Sequence, residues 1–219
     1  MADIVYRLPN YITFLRLALI PLFVVLLIDP SRPMINAACV IFIFAAFTDY
    51  IDGWIARRWG AVSDFGKIFD PLADKILVIS ALVMLTSLRS DLYSEPWVPG
   101  WMVVMVLARE IWITGMRTWA ASKGVVVAAG SVGKVKSFFQ MLAIVCLLLH
   151  DYTLTVMGLQ LSYQFIGINL LALSLAFSYI SAFYYTYDIL APDSIYYNSA
   201  AKTDVAVEKV NIPTDSKLN

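Results

Sequence analysis

Cysteine and histidine are almost missing from this chain, with two of the first and one of the second in 219 residues. Cys39 and Cys146 both lie inside apolar runs, where a free thiol behaves as a small hydrophobe. His150 stands alone, so neither a disulfide framework nor a metal site built on cysteine and histidine is expected. Charge is scarce too, at 15% of residues with equal numbers of each sign, which removes the bulk basic field that would point to nucleic acid. Polar sequence long enough for a separate soluble domain is also lacking.

What the chain has instead is hydrophobicity. It makes up 60% of residues, with a mean hydropathy of +0.75, more than the surface of a water-soluble domain of this size tolerates. The sequence therefore reads as an all-α integral membrane protein. Six helices of about 20 residues would use about 120 residues, and apolar runs fall at about residues 11–28, 34–56, 70–88, 101–119, 133–150 and 164–187. The expected organisation is one membrane domain over 1–190 and a disordered polar tail over 191–219. No small-residue cleavage site follows the first run, which reads as an anchor rather than a removed signal. Residues 57–66 read as a loop, and Asp70-Pro71 as an N-cap followed by proline at the first helical position of the third span.

Charge placement orients these spans. With the N-terminus and alternate loops on one side, that side carries Arg7, Arg16, Arg57, Arg58, Lys67, Lys75, Arg109, Arg117, Lys123, Lys134 and Lys136, against Arg32 and Arg89 on the other. The positive-inside rule then places both termini in the cytoplasm.

On that cytoplasmic side the ends of spans two and three carry four carboxylates, Asp49, Asp52, Asp70 and Asp74. Positions three or four apart share a helix face, so each helix offers a pair, and two pairs can meet. They could be solvated acids at a membrane boundary. Yet each aspartate near a helix centre costs roughly 2.5 to 3.5 kcal/mol even on a lenient scale, so four together call for compensating positive charge. A compact group of hard oxygen ligands suits Mg²⁺ or Mn²⁺, and two such ions are the usual apparatus for a phosphoryl displacement. Beside the acids, Gly53 and Ala56 lack bulk, which suits close helix packing or the approach of a ligand to the backbone. Arg57 suits a phosphate or marks the membrane boundary.

The full spacing, D-x-x-D-G-x-x-A-R over 49–57, eight residues, then G-x-x-x-D-x-x-x-D over 66–74, resembles the signature of the CDP-alcohol phosphatidyltransferase family. All eight fixed positions match, a coincidence on the order of one in 10¹⁰ per start site at roughly one in twenty per residue type. The resemblance implies a membrane enzyme, usually dimeric, with Asp49, Asp52, Asp70 and Asp74 as ligands for two Mg²⁺ or Mn²⁺ ions and Asp74 as the base. It also implies contacts to the CDP group from Asn10, Thr13, Gly53, Ala56, Arg57, Ser63 and Gly66.

A second constellation comprises Ala108-Arg109-Glu110, Arg117, Lys123-Gly124 and Gly133-Lys134-Val135-Lys136 followed by Gln140-Met141, with the cations Arg109, Arg117, Lys134 and Lys136 at the cytoplasmic ends of spans four and five. Anionic lipid or membrane orientation would explain such cations on charge alone. The runs A-R-E-I-W-I-T-G-M-R and G-K-V-K-S-F-F-Q-M, however, are similar to the branch of the family whose acceptor is glycerol 3-phosphate, with Lys136-Ser137 standing where Lys-Thr is usual. That likeness implies transfer of the phosphatidyl group of CDP-diacylglycerol to glycerol 3-phosphate, with the four cations holding the acceptor's phosphate. The rivals are a sister enzyme using inositol phosphate, serine or phosphatidylglycerol, a divalent-cation transporter, and a lipid-binding scaffold. A transporter would be expected to carry its acids near the midplane in two repeated halves, and a scaffold leaves the metal-spaced acids without a purpose.

Overall fold

The computed structural model describes the backbone of residues 2–59, 64–89, 95–123, 131–156 and 159–190, and the side chains within 13–48, 72–89, 95–123, 135–155 and 160–190. Six helices dominate: α1 (Ala2–Leu26), α2 (Arg32–Trp59), α3 (Asp64–Ser87), α4 (Gly100–Ser122), α5 (Ser131–Leu148) and α6 (Tyr163–Leu190). The expected tail over 191–219 lies outside the described residues.

One element departs from the all-α expectation. A short antiparallel hairpin, β1 (Thr153–Val156) with β2 (Leu159–Ser162), joins α5 to α6, with Thr153 opposite Ser162 and Val156 opposite Leu159. The β-branched Thr153, Thr155 and Val156 favour an extended chain.

Three helix ends also differ from the reading of the sequence. α1 starts at Ala2 and contains Pro9 and Pro21, α2 continues through Arg57 and Arg58 to Trp59, and α3 starts at Asp64 with Pro71 inside it. Of the expected 57–66 loop, 57–59 and 64–66 are thus helix, with 60–63 outside the described residues, and Asp70-Pro71 is not a helix start. Each internal proline removes one donor from the ladder, but the remaining backbone groups still find their partners one turn away in the helix. Ala56, Arg57 and Arg58 are good helix formers with no breaker before Gly60, and Ser63 is a capping type placed just before α3.

Residue contacts divide the chain into two compact units, Met1–Val104 with Ser137–Ser174, and Met105–Lys136 with Leu175–Asn219. In the first, α1 packs against both α2 and α3. Its buried stripe is Thr13, Arg16, Ile20 and Phe23, at helical spacing, with buried Leu27 just past its end. Opposing stripes run through Ile35, Ala38, Phe42 and Ala45 of α2 and Ala73, Leu77, Ala81 and Leu85 of α3, and the Phe23 and Phe42 rings lie 6.1 Å apart. Where α6 meets α5, a Cβ on Gly167 would stand 2.6 Å from Leu147 Cγ, so that crossing needs glycine. Near the start of α2 and the end of α5, Asp151 receives His150 Nε2 at 2.9 Å and lies 3.6 Å from Arg32 Nε.

In the second unit α4 and α6 run side by side. Tyr179 donates to the Met105 carbonyl at 3.0 Å, Trp112 Nε1 to Thr186 Oγ1 at 3.0 Å, and Ala120 packs with Ile189, Met116 and Tyr185. Both numberings rise together along the contact, so the two helices are parallel.

The distribution of polarity is that of a protein in lipid. Outward-facing side chains include Ile28, Val40, Trp101, Ile111 and Phe183, each more than 60% exposed, while Thr13, Arg16, Arg109, Lys136, Gln140, Ser174 and Ser178 are buried. Among the described residues α6 is long and apolar enough by itself to cross a bilayer. Shorter apolar stretches, Thr13–Leu26, Arg32–Thr48 and Val135–Leu148, lie within α1, α2 and α5.

Candidate functional site

Because α2 is unbroken to Trp59, Asp49, Asp52, Gly53 and Ala56 occupy positions i, i+3, i+4 and i+7 of one helix. That register continues the buried stripe of Ala38, Phe42 and Ala45. On α3 the equivalent run is Gly66, Asp70 and Asp74 at i, i+4 and i+8, continuing the stripe of Ala73, Leu77 and Ala81 backwards by helical steps. Both pairs of motif positions therefore extend the packed faces of helices belonging to one unit. Of their side chains, only that of Asp74 is among those described, and it is half-buried. Those of Asp49, Asp52, Asp70, Asn10, Gly53, Ala56, Arg57 and Gly66 lie outside the described set, and Ser63 lies outside the described backbone as well.

Thr13, a predicted contact, is fully buried on α1. One turn along the same stripe, Arg16 is 1% exposed. The sequence reading counted Arg16 only as an orientation charge, although a cation inside an apolar span was signal enough to ask what it faces. Burying a guanidinium costs several kcal/mol unless carboxylates compensate it, and the unit containing Arg16 also contains the acid-bearing ends of α2 and α3. Four aspartates are hard oxygen donors of the kind that Mg²⁺ or Mn²⁺ takes one or two at a time, with water or phosphate oxygens completing the shell, and their register on α2 and α3 fits that use. Among the described residues no group of three or more potential ligands occurs, since three of the four aspartates fall outside the side chains described.

The basic group belongs to the second unit, and its centre is an acid. Glu110 Oε1 accepts from Arg109 Nη1 at 3.1 Å and also from Lys136 Nζ, so α4 and α5 are tied through one carboxylate oxygen. Arg109 Nε donates to the backbone carbonyl of Ser178 on α6 at 3.2 Å. Arg109 and Lys136 are buried and Glu110 is mostly so. Two of the four predicted cations are thus brought together. Arg117 is not with them: eight residues further, roughly 12 Å along the helix, it is exposed and its guanidinium lies 5.6 Å from the Tyr185 ring centroid. Lys134 sits in the first turn of α5, its side chain outside the described set. The sequence places Glu110 within this constellation without a role of its own, yet it is the single acidic residue between Glu95 and Asp151, a signal that it has one.

Motif acids in helical register on α2 and α3 and, in the other unit, the buried cations Arg109 and Lys136 are residue types that suit phosphate chemistry at a membrane. The sequence profile of the CDP-alcohol phosphatidyltransferases matches residues 6–180, and the chain belongs to that family. Every candidate residue named above falls within that span.

Among individual proteins, the chain is similar to CDP-diacylglycerol–glycerol-3-phosphate 3-phosphatidyltransferase of Bacillus subtilis (strain 168), 41% identical over 158 residues, 67% of this chain and 78% of the relative. It is 42% identical over 147 residues to the protein of that name from Salmonella typhimurium (strain LT2), covering 65% of this chain and 77% of the relative. A third, from Rickettsia typhi, is 37% identical over 143 residues, covering 65% and 76%.

Proposed function

We propose that this chain transfers the phosphatidyl group of CDP-diacylglycerol to sn-glycerol 3-phosphate, giving phosphatidylglycerol phosphate and CMP. The observation that carries this reading is the 41% identity, over 78% of its length, to a relative named for that reaction. The buried Arg109 and Lys136 add a chemical reason, since a phosphate-bearing acceptor needs fixed positive charge whereas serine does not.

Within that reading, Asp49, Asp52, Asp70 and Asp74 hold two Mg²⁺ or Mn²⁺ ions. When bound, such ions would offset the charge of the diphosphate and of the departing CMP. Asp74 takes the proton of the attacking hydroxyl. Gly53, Ala56 and Gly66 leave room for the CDP group, and Asn10, Thr13, Arg57 and Ser63 hydrogen-bond it. Arg109, Lys134, Lys136 and Arg117 bind the acceptor's phosphate.

Residues 1–190 form a domain spanning the cytoplasmic membrane six times, with both termini and the acids on the cytoplasmic side, where water-soluble glycerol 3-phosphate is available. The loop charges support that orientation, and the exposed apolar side chains on α1, α2, α4 and α6 support immersion in lipid. A homodimer is the expected assembly. The test is CMP release by purified protein in detergent with CDP-diacylglycerol and Mg²⁺, offered glycerol 3-phosphate, inositol phosphate, serine and phosphatidylglycerol in turn. Release that depends on glycerol 3-phosphate is the expected result, and release driven only by another acceptor overturns the assignment.

A further inference from the structure

Two cations brought side by side out of water repel each other and lose hydration, so something must hold them there. In this chain it is Glu110. Over residues 96–150 the sequence has five cations and this one acid, and the acid sits between the two cations that are most buried, with one oxygen accepting from both Arg109 Nη1 and Lys136 Nζ. The sharing keeps the two charged groups within about 6 Å of each other, near enough for the oxygens of one phosphate to bridge them. Arg109 is fixed at a second point, Nε on the Ser178 carbonyl, which sets the plane of its guanidinium. Neither Glu110 nor Ser178 engages its Nη2. The three charges sum to +1, which still attracts a dianionic phosphate monoester while avoiding the repulsion of an uncompensated pair.

We infer that Glu110 is a positioning residue for the acceptor: it sets the spacing and orientation of Arg109 and Lys136, and through them the affinity for a phosphate-bearing alcohol. The inference rests on the proposed use of glycerol 3-phosphate. An arrangement that served only to hold α4 against α5 would show itself in stability and in all kinetic parameters alike. A positioning role is selective for the acceptor.

The experiment is steady-state CMP release by the full-length protein, varying glycerol 3-phosphate and CDP-diacylglycerol separately, for wild type, Glu110→Gln, Glu110→Asp, Lys136→Met and the Glu110→Gln/Lys136→Met double variant. Glu110→Gln, which keeps shape and loses charge, should raise the acceptor KM about tenfold or more. Donor KM and kcat at saturating acceptor should stay within about twofold. Glu110→Asp restores the charge and should recover part of the loss. In the double variant the acceptor KM should rise by less than the product of the two single effects, because Glu110 acts through a residue already removed. An unchanged or lowered acceptor KM in Glu110→Gln overturns the inference. So does a rise of donor KM together with a fall of kcat and thermal stability in both Glu110 variants, or full additivity in the double variant. If wild type itself releases no CMP in response to glycerol 3-phosphate, it is the underlying assignment of the acceptor that fails.

Discussion

In the motif helices, Asp49 is joined to Asp52 and Asp70 to Asp74 by the register of single helices, whereas Arg109 and Lys136 come from α4 and α5 and meet only through Glu110. The acids need nothing beyond an unbroken helix to share a face. The cations need a third residue, of opposite charge, to be neighbours at all. Like charges on one helix can be gathered by backbone geometry alone, whereas the cations on two helices are held here by a shared carboxylate.

The largest effects should come from the side governed by register. Asp49→Asn, Asp52→Asn or Asp70→Asn removes a charged oxygen with little change of shape, and each should cut turnover by about a thousandfold or more, equivalent to about 4 kcal/mol. Donor binding should weaken as well, and excess chelator should have the same effect on wild type. Substantial CMP release from any of these variants, or from wild type in chelator, would separate the motif from metal binding.

Asp74→Asn tests whether one of the four differs from the rest. A base contributes about a hundredfold to ten-thousandfold, so turnover should fall by at least about a hundredfold while CDP-diacylglycerol binding weakens less than in the other three. Binding loss equal to theirs would make Asp74 a ligand only.

On the side governed by Glu110, effects should be smaller and confined to the acceptor. Arg109→Gln and Lys136→Gln each remove a buried charge-assisted contact worth about 1.5 to 3 kcal/mol, so the acceptor KM should rise about tenfold to a hundredfold. Arg117 is exposed and lies by Tyr185, so Arg117→Gln should raise it only a few-fold. Equal effects at Arg109 and Arg117 would mean that burial does not rank these cations.

How much of this was readable from the sequence follows the same division. The pairing of Asp49 with Asp52 and of Asp70 with Asp74 is a matter of spacing along a helix, and the positions of six helices follow from apolar runs. Helix ends were less legible, because Pro9, Pro71 and residues 57–59 look like breaks in the sequence alone; α1 and α3 run on through their prolines, and α2 continues to Trp59. The hairpin between α5 and α6 is too short for its period to stand out. The partnership of Glu110 with Lys136 spans 26 positions, and no local pattern specifies it. Arg16 was visible as a charge but not as a buried one, since burial there depends on α1 packing against two other helices.

The smallest expected effect on activity comes from a change that touches neither charged region. At Gly167, a Cβ would lie 2.6 Å from Leu147 Cγ and 3.1 Å from the Leu147 backbone nitrogen. The side chain could turn away, but the backbone nitrogen can retreat only if α5 and α6 move apart. Overpacking of this kind costs about 1 to 3 kcal/mol, against at most about 1 kcal/mol gained from alanine's better helix propensity. Gly167→Ala should therefore lower the Tm in detergent by about 2 to 6 °C, with both KM values and kcat at low temperature within about twofold of wild type. Gly115 is the control, because nothing lies within 4 Å of a Cβ placed there, and Gly115→Ala should leave Tm unchanged or raise it slightly. Stability would then move without activity at Gly167, and activity without stability at Glu110. A Gly167→Ala variant as stable as wild type would show that the α5–α6 crossing yields more readily than its close approach implies.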